Sequence, residues 1–115
     1  MRRIEYSQIV RHKMKTLRVD LTSRYGEEFS KKAVGEITAA IRRLEMFSDS
    51  GIDIARMYDI DTKYYYIFIN HNYIVYRIES DKIVIANMFN EKEDFIMKLF
   101  GVSGRSQESI EYWGE

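Results

Sequence analysis

The sequence contains no cysteine. This absence excludes a disulfide framework, a zinc site built on thiolates, an iron–sulfur cluster and a cysteine nucleophile. The chain also lacks a run of about eighteen apolar residues, which excludes a transmembrane helix. The basic residues near its start are not followed by an apolar segment, so we do not expect a secretory signal. These absences favour a cytoplasmic protein.

Charge is balanced over the whole chain but not along it. The chain carries 18 lysines and arginines and 18 aspartates and glutamates. Residues 1–46 hold 11 basic and 6 acidic residues (11 − 6 = +5), whereas residues 47–115 hold 7 and 12 (7 − 12 = −5). The balanced total disfavours a protein that coats nucleic acid. A function that depends on charge therefore has to be sought in one half of the chain.

Length and composition predict a single globular domain. The 115 residues are 45% hydrophobic and 31% charged, which is enough to bury a core without cross-links. We expect the domain to span residues 1–101. Residues 102–115 are expected to form a polar tail, either docked through Tyr112 and Trp113 or loose.

The first half of the chain has the periodicity of a helical hairpin. Ser7 is a candidate N-cap for the first helix, and Gly26 separates it from the second. Apolar residues recur at helical spacing in both helices. They are Val10, Met14, Leu17, Leu21 and Tyr25 in the first helix, and Phe29, Ala33, Ile37, Ala40, Ile41 and Leu44 in the second.

The second half is rich in β-branched and aromatic residues and predicts a three-stranded antiparallel meander. The strands are YYYIFI, YIVYRI and KIVIANMF. A turn at Ser80 and Asp81 would place Ile78 opposite Ile83. Strict alternation would then put Ile74, Tyr76, Ile78, Ile83, Ile85 and Phe89 under the helices, and Tyr73, Val75, Arg77, Val84, Ala86 and Met88 on the other face.

Two segments flank the meander. IDIARMYDID before it has no clear period and is expected to be irregular. After it, Asn90 and Glu93 resemble a capping box, which predicts a short helix ending at Gly101. Together these elements define an α+β domain.

This order of elements resembles the RelE/ParE superfamily of toxins, which includes plasmid stabilisation proteins. The resemblance covers residues 1–101 and is carried by IEYS, AAIRRLEMF, NYIVYRIESDKIVIANMFN and EKEDFIMKLF. It implies an N-terminal strand and a helical hairpin packed on a small antiparallel sheet. It also implies the toxin of a type II toxin–antitoxin module, neutralised in a hetero-oligomer by a cognate antitoxin protein. No cofactor, metal or membrane is implied.

Members of the superfamily act in two ways: RelE-like toxins cut mRNA in the ribosome, and ParE-like toxins inhibit DNA gyrase through protein contact. Cleavage needs a base, an acid and cations that stabilise the phosphorane charge. RelE-like ribonucleases carry lysines on the first meander strand, an arginine leading into the second, and Arg, His or Tyr past the last. The corresponding places here hold Tyr66 and Phe68, then Tyr73, then Asn90, Glu91 and Lys92.

The resemblance therefore favours a ParE-like toxin and disfavours an enzyme. The alternative is a ribosome-dependent mRNA endonuclease that uses Lys92, Arg77 and Tyr73. A third alternative is a non-toxic binding module of the same fold.

Two surfaces are candidates for binding the antitoxin or the target. One is an open apolar sheet face, unless the last helix or the Trp113 segment covers it; it comprises Tyr66, Phe68, Tyr73, Val75, Val84 and Met88. Arg77 on that face either contacts a partner or pairs with Glu79. The other surface lies on the first helix and is basic; the alternative is that its side chains are simply solvated. It is formed by Arg11, Lys13, Lys15, Arg18 and Arg24. His12 and His71 have no metal-ligand spacing and are expected to be surface residues.

Overall fold

The computed structural model describes residues 2–101, so the predicted tail at 102–115 lies outside the described residues. The elements follow the predicted order, with three short additions. They are β1 (Arg3–Tyr6), α1 (Gln8–Tyr25), α2 (Glu27–Arg42), a 3₁₀ turn (Arg43–Glu45), β2 (Ile52–Asp53), α3 (Ile54–Tyr58), β3 (Tyr64–Ile69), β4 (Asn72–Ile78), β5 (Lys82–Asn90) and α4 (Phe95–Phe100). None of the helices among these residues is long and apolar enough to cross a membrane.

The helical hairpin α1–α2 is fixed to the sheet and to itself by serine hydroxyls. Ser7 caps α1 by accepting from the Val10 amide at 3.2 Å, as predicted, and donates to the Ala86 carbonyl at 2.9 Å. Between the helices Gly26 adopts a φ of +94°, which suits glycine because it has no Cβ. The buried Ser30 then donates to the Arg18 carbonyl at 3.1 Å and joins the two helices.

The five strands form one mixed sheet in the order β1-β5-β4-β3-β2. β1 pairs with β5 in parallel, and the other pairs are antiparallel. The β3–β4 turn consists of Asn70 and His71, both with positive φ, as a tight two-residue hairpin turn requires. Ile78 pairs with Ile83 as predicted. The α+β class is thus confirmed, although β1 makes the sheet mixed and no longer purely antiparallel.

A β-bulge at Ala86 overturns the predicted faces of β5 beyond it. Val75 pairs with Asn87 and Tyr76 with Ile85, so Ala86 has no partner on β4. An extra residue reverses the side-chain alternation that follows it. Met88 therefore points towards the helical hairpin, and Phe89 points to the opposite face, which is the reverse of the prediction.

The sheet separates two cores. The larger lies beneath the helical hairpin and includes Tyr76, Ile37, Ile41, Ile85 and Met88. The smaller lies on the opposite face, where α3 and α4 pack over β4 and β5, and consists of Ile54, Val75, Phe89, Phe95 and Ile96. Both faces of the sheet are therefore partly covered.

Two short segments differ from the prediction. Residues 52–58, expected to be irregular, form β2 and α3, with Asp53 capping α3 through the Ala55 amide. α4 begins after Asp94 and not at the Asn90 capping box, because the Asp94 carboxylate accepts from the Met97 amide. Glu93 still accepts from the Asn90 amide at 2.7 Å, but that bond closes a turn before the helix. Gly101 ends α4 with a φ of +71°, as predicted.

Candidate interaction surfaces

Aromatic rings fill the sheet face opposite the helical hairpin. We call Tyr66, Tyr73, Phe89 and Phe95 the aromatic cluster. Phe95 of α4 stacks on Tyr73 with ring centroids 4.4 Å apart, and it meets Tyr66 edge-on at 5.1 Å. Tyr66 and Tyr73 also contact each other at 5.5 Å. These separations and tilts are the ones that aromatic pairs prefer, so α4 is held on the sheet by ring packing.

The prediction of an open apolar patch on this face is wrong for Val75, Val84 and Met88. Val84 is only 6% exposed. Val75 is 0% exposed because α3 and α4 cover it, and Met88 is 3% exposed because the bulge turns it under the helical hairpin. The alternative, that the C-terminal helix covers the face, is confirmed. Phe68, at 50% exposure, remains accessible and packs against Tyr73 at the border of the aromatic cluster.

Tyr66 of the aromatic cluster is poorly suited to acting as a general base. Burial, together with the neighbouring Tyr58 hydroxyl, raises the pKa of Tyr66 to about 12. Its hydroxyl therefore stays neutral at physiological pH. A general base works best when its pKa lies near the operating pH, so Tyr66 does not meet this requirement.

The three candidate residues of the ribonuclease alternative do not converge. Arg77 pairs across the sheet with Tyr64, whereas Lys92 follows Asn90, which pairs with Asn72 at the other end of β4. Five residues of strand separate Asn72 from Arg77, about 17 Å at 3.3–3.4 Å per residue. Lys92 is exposed, while Tyr73 lies beneath Phe95.

Arg77 is engaged within the chain, which agrees with the pairing that the sequence left open. Its Nε donates to Glu79 Oε2 at 2.7 Å. This bond, with a further contribution from the Tyr64 hydroxyl, raises the pKa of Arg77. Glu79 also lies near Lys82, which binds Glu5 at 2.9 Å. Arg77 thus belongs to a small network of paired charges at one end of the sheet.

A cleft of about 590 Å³ opens where the helical hairpin extends past the sheet. The Asn70 amide donates to the Ala33 carbonyl at 3.1 Å and joins the β3–β4 turn to α2. Tyr25 and Phe29 lie nearby, with ring centroids 4.8 Å apart and ring planes tilted by 43°, and they are 59% and 51% exposed. We call this the tip cleft. Its other wall is polar and includes His71, Glu91 and Lys92.

The predicted basic residues of α1 have different surroundings. Arg11 and Lys15 are exposed, whereas Lys13 turns inwards and donates to Asn87 Oδ1 at 2.7 Å and to the Met88 carbonyl at 2.9 Å. Its ammonium also lies 4.2 Å from the Phe89 ring centroid, and burial lowers the pKa of Lys13. Lys13 therefore fastens α1 to the bulged part of β5, and it does not contribute to the basic surface.

Arg18 lies in a groove on the side of the hairpin that faces away from the sheet. This groove, which we call the outer groove, has a volume of about 350 Å³. Its residues come from both helices and include three cations and no carboxylate. They are Arg18, Lys31, Val34, Gly35, Thr38, Ala39 and Arg42.

Sequence reasoning identified Arg18 but missed Lys31, Gly35 and Arg42. These residues recur in α2 at the four-, seven- and eleven-residue spacings of one helical stripe, so the signal was present in the periodicity. Tyr25 and Phe29 were expected to be core residues, because the sequence does not reveal where the sheet ends beneath the hairpin.

The histidines and carboxylates do not form a metal centre in the described part of the chain. No group of three or more potential ligands occurs among residues 2–101. His71 is exposed, and its Nδ1 lies 3.0 Å from Glu91 Oε1, so this pair forms a surface contact. His12 is also exposed.

No protein-family model matches this chain, and no curated protein sequence matches it. Among solved structures, it is similar to a chain of the structure titled "Chromosomal ParDE TA system from P. aeruginosa". The TM-score is 0.66 at 13% sequence identity, and the match covers 78% of this chain and 96% of that one. The chain therefore has a RelE/ParE-like α+β fold, which is the fold that the sequence resemblance implied.

Proposed function

We propose that this protein is the toxin of a toxin–antitoxin module, neutralised in the cytoplasm by a cognate antitoxin protein. Its action would be ParE-like, which means inhibition of DNA gyrase through protein contact without cleavage of a substrate. The fold shared with a chain of a ParDE system supports the module. The choice of the ParE-like mode depends on one observation, the aromatic cluster.

Aromatic residues of the cluster and its border stand at the places where, by the sequence resemblance, a RelE-like ribonuclease would carry its cations. Tyr66 and Phe68 stand on the first meander strand in place of lysines, and Tyr73 stands in place of the arginine. Phe95 covers Tyr66 and Tyr73. A phosphorane needs positive charge close to its oxygens, and packed rings do not supply it.

The ribonuclease alternative would need cations brought together from elsewhere. Arg77 is paired with Glu79, and Lys92 lies at the opposite end of β4. Glu91, Glu93 and Asp94 surround Lys92 in the sequence and weaken its attraction for phosphate. The non-toxic binding module remains the second candidate, because a protein of this fold could bind a partner without inhibiting a cellular target.

The test has two arms that use the full chain. Purified protein is expected to inhibit gyrase supercoiling and to trap cleavage complexes, and to leave mRNA intact in a translating extract. We expect a short reading frame next to the gene to encode the antitoxin, and co-expressing its protein should relieve the growth arrest that the toxin causes. The matched control is Lys92→Ala, which changes an exposed side chain and should leave gyrase inhibition unchanged.

Three results would contradict the proposal. Codon-specific cuts in the mRNA that Lys92→Ala abolishes would establish the ribonuclease alternative. The absence of both gyrase inhibition and growth arrest would favour the non-toxic module. Growth arrest that the neighbouring protein does not relieve would argue against neutralisation by that protein.

A further inference from the structure

Five cations line the side of the helical hairpin that faces away from the sheet. In α1, the exposed Arg11 and Lys15 recur with Arg18 at spacings of four and three residues, so they share one helical stripe. Arg18 also lines the outer groove, which places this stripe along the groove. Lys31 and Arg42 line it from α2. We call these five residues the cation rows, one row on each helix.

The cation rows carry charge that the chain does not neutralise. Among residues 2–101, four of the five are in no ion pair, and Lys31 pairs only with the largely exposed Glu27 at 3.7 Å. The other lysine and arginine of α1 are engaged within the chain, since Lys13 donates to β5 and Arg24 binds Asp20 at 3.0 Å. The cations beside the outer groove are therefore the ones available to another molecule.

The spacing of the cation rows matches the spacing of phosphates along a duplex. Arg11 lies 15 residues before Gly26 (26 − 11) and Arg42 lies 16 residues after it (42 − 26), so the two antiparallel rows end together. Lys31 and Arg42 are about 16 Å apart along the axis of α2. One strand of B-form DNA carries a phosphate about every 3.4 Å of its axis, or about five over that length. The rows thus offer about one cation for each phosphate of a strand laid between them.

The floor between the rows is made of small residues and has no ring on which a base could stack. It consists of Val34, Gly35, Thr38 and Ala39. Thr38 donates its hydroxyl to the Val34 carbonyl at 2.9 Å, so that group needs no outside partner. Single-stranded nucleic acid is usually held by stacking of its bases on aromatic rings, and protein interfaces usually bury aromatic anchors in pockets. The rows therefore suit a ligand that presents negative charge on its outside.

We propose that the cation rows bind the phosphate backbone of duplex DNA without reading its sequence. This inference goes beyond the proposed function, which needs contact with a protein only. Release of counterions from the phosphates supplies the affinity, and contacts to phosphate position a protein without carrying sequence information. Because residues 1–46 carry a net charge of +5 and residues 47–115 one of −5, the domain approaches DNA with the helical hairpin leading.

The experiment titrates a fluorescent 20-bp DNA duplex with the purified full chain and follows its anisotropy between about 50 and 200 mM salt. Five phosphate contacts predict that the logarithm of the binding constant falls with the logarithm of the salt concentration at a slope of about −4.5. Arg11→Gln and Arg42→Gln should each make that slope shallower by about 0.9, because each removes one contact. Lys63→Gln, an exposed change of one charge outside the rows, is the matched control and should leave the slope unchanged.

Gly35 allows the charge of the floor to be changed in both directions. A Cβ added there would meet no atom within 4 Å, so a longer side chain can enter the outer groove without disturbing the hairpin. Gly35→Glu should weaken binding of the duplex about tenfold or more, whereas Gly35→Lys should strengthen it about threefold or more. Glutamate and lysine have similar helix propensities, so both variants should unfold at similar urea concentrations, higher than that of wild type.

Several results would overturn the proposal. No binding of the duplex at about 50 mM salt would show that the cation rows do not hold DNA. A slope that stays unchanged in both arginine variants would place the DNA elsewhere on the chain, and equal weakening by Gly35→Glu and Gly35→Lys would mean that shape, not charge, governs the contact. Single-stranded RNA or polyglutamate that binds more tightly than the duplex would assign the rows to that class of partner. None of these results bears on the proposed function, because the assay contains no gyrase.

Discussion

At the scale of single residues, Tyr76 is the most constrained polar group of the larger core. Its side chain is fully buried, and its hydroxyl donates to the Ser48 carbonyl at 2.8 Å and accepts from the Gly51 amide at 3.1 Å. A Cβ at Gly51 would come within 2.5 Å of that hydroxyl. Gly51 therefore leaves the room that the hydroxyl needs, and the loop after α2 is tied to the centre of the sheet.

This environment predicts a stability loss in alkali. Burial raises the pKa of Tyr76 to about 12, from an unfolded value of about 10. The folded state favours the neutral hydroxyl, so the contribution is fully present below pH 10 and is lost as the pH rises from 10 to 12. A shift of about two units corresponds to roughly 3 kcal/mol. Urea unfolding of wild type and Tyr76→Phe at several pH values measures it.

Tyr76→Phe should unfold more easily by about 1–3 kcal/mol at pH 7, because the Gly51 amide and the Ser48 carbonyl lose their partner. Between pH 10 and 12 its stability should fall less steeply than that of wild type. Parallel pH profiles for the two proteins would show that Tyr76 does not control the alkaline step.

At the scale of elements, α4 has only six residues and depends on its contacts with the sheet. Isolated helices of this length are not stable in water. Phe95 supplies contacts to three rings of the aromatic cluster, whereas Met97 on the same helix is largely exposed. Replacing Phe95 by alanine should therefore lower the free energy of unfolding far more than replacing Met97 by alanine.

Phe95→Ala is expected to lower the free energy of unfolding by about 3–5 kcal/mol, the usual cost of removing a buried phenyl ring. Met97→Ala, the matched control, should change it by about 0.5 kcal/mol or less. Chemical denaturation of both variants measures the difference. Equal losses would mean that α4 is not held by the aromatic cluster.

The elements also show what the sequence could reveal. The helical hairpin and the meander were predictable because their periods extend over many residues, as with Ile37 and Ile41 on one helix face. The bulge was not predictable, because the alternation of residues in a strand does not show where an extra residue such as Ala86 is inserted. β2 and α3 were missed because two and five residues are too few to show a period. Of the candidate site, Arg18 was found, whereas the outer groove required the packing of α1 against α2.

At the scale of the whole molecule, the end of the hairpin that carries Tyr25 and Phe29 is not covered by the sheet. The described residues extend over 45 × 38 × 21 Å, and burial along the apolar stripe falls towards the Tyr25–Phe29 end. One stripe thus has two parts: Ile37, 1% exposed, is in the larger core, and Phe29 lines the tip cleft. The same kind of residue therefore stabilises the fold in one part and meets solvent in the other.

Truncation along α2 should reveal this gradient. Ile37→Ala is expected to lower the free energy of unfolding by about 2–5 kcal/mol, because it removes a fully buried side chain. Phe29→Ala, two turns away, should lower it by about 1 kcal/mol or less, although more atoms are removed. Urea denaturation with both variants in one buffer gives the comparison. A larger loss at Phe29 would mean that the tip cleft is closed in solution.

The bulge at Ala86 makes β5 more sensitive to the loss of a residue than to the replacement of one residue by another. Met88 and Phe89 point into opposite cores, as neighbouring residues of a strand do. The extra residue before them decides that Met88 enters the larger core and Phe89 the smaller one. An in-frame loss of a single codon there would exchange their directions at once, while many replacements of one apolar residue by another would leave them in place. Among inherited changes in this gene, deletions in β5 should therefore be rarer than substitutions.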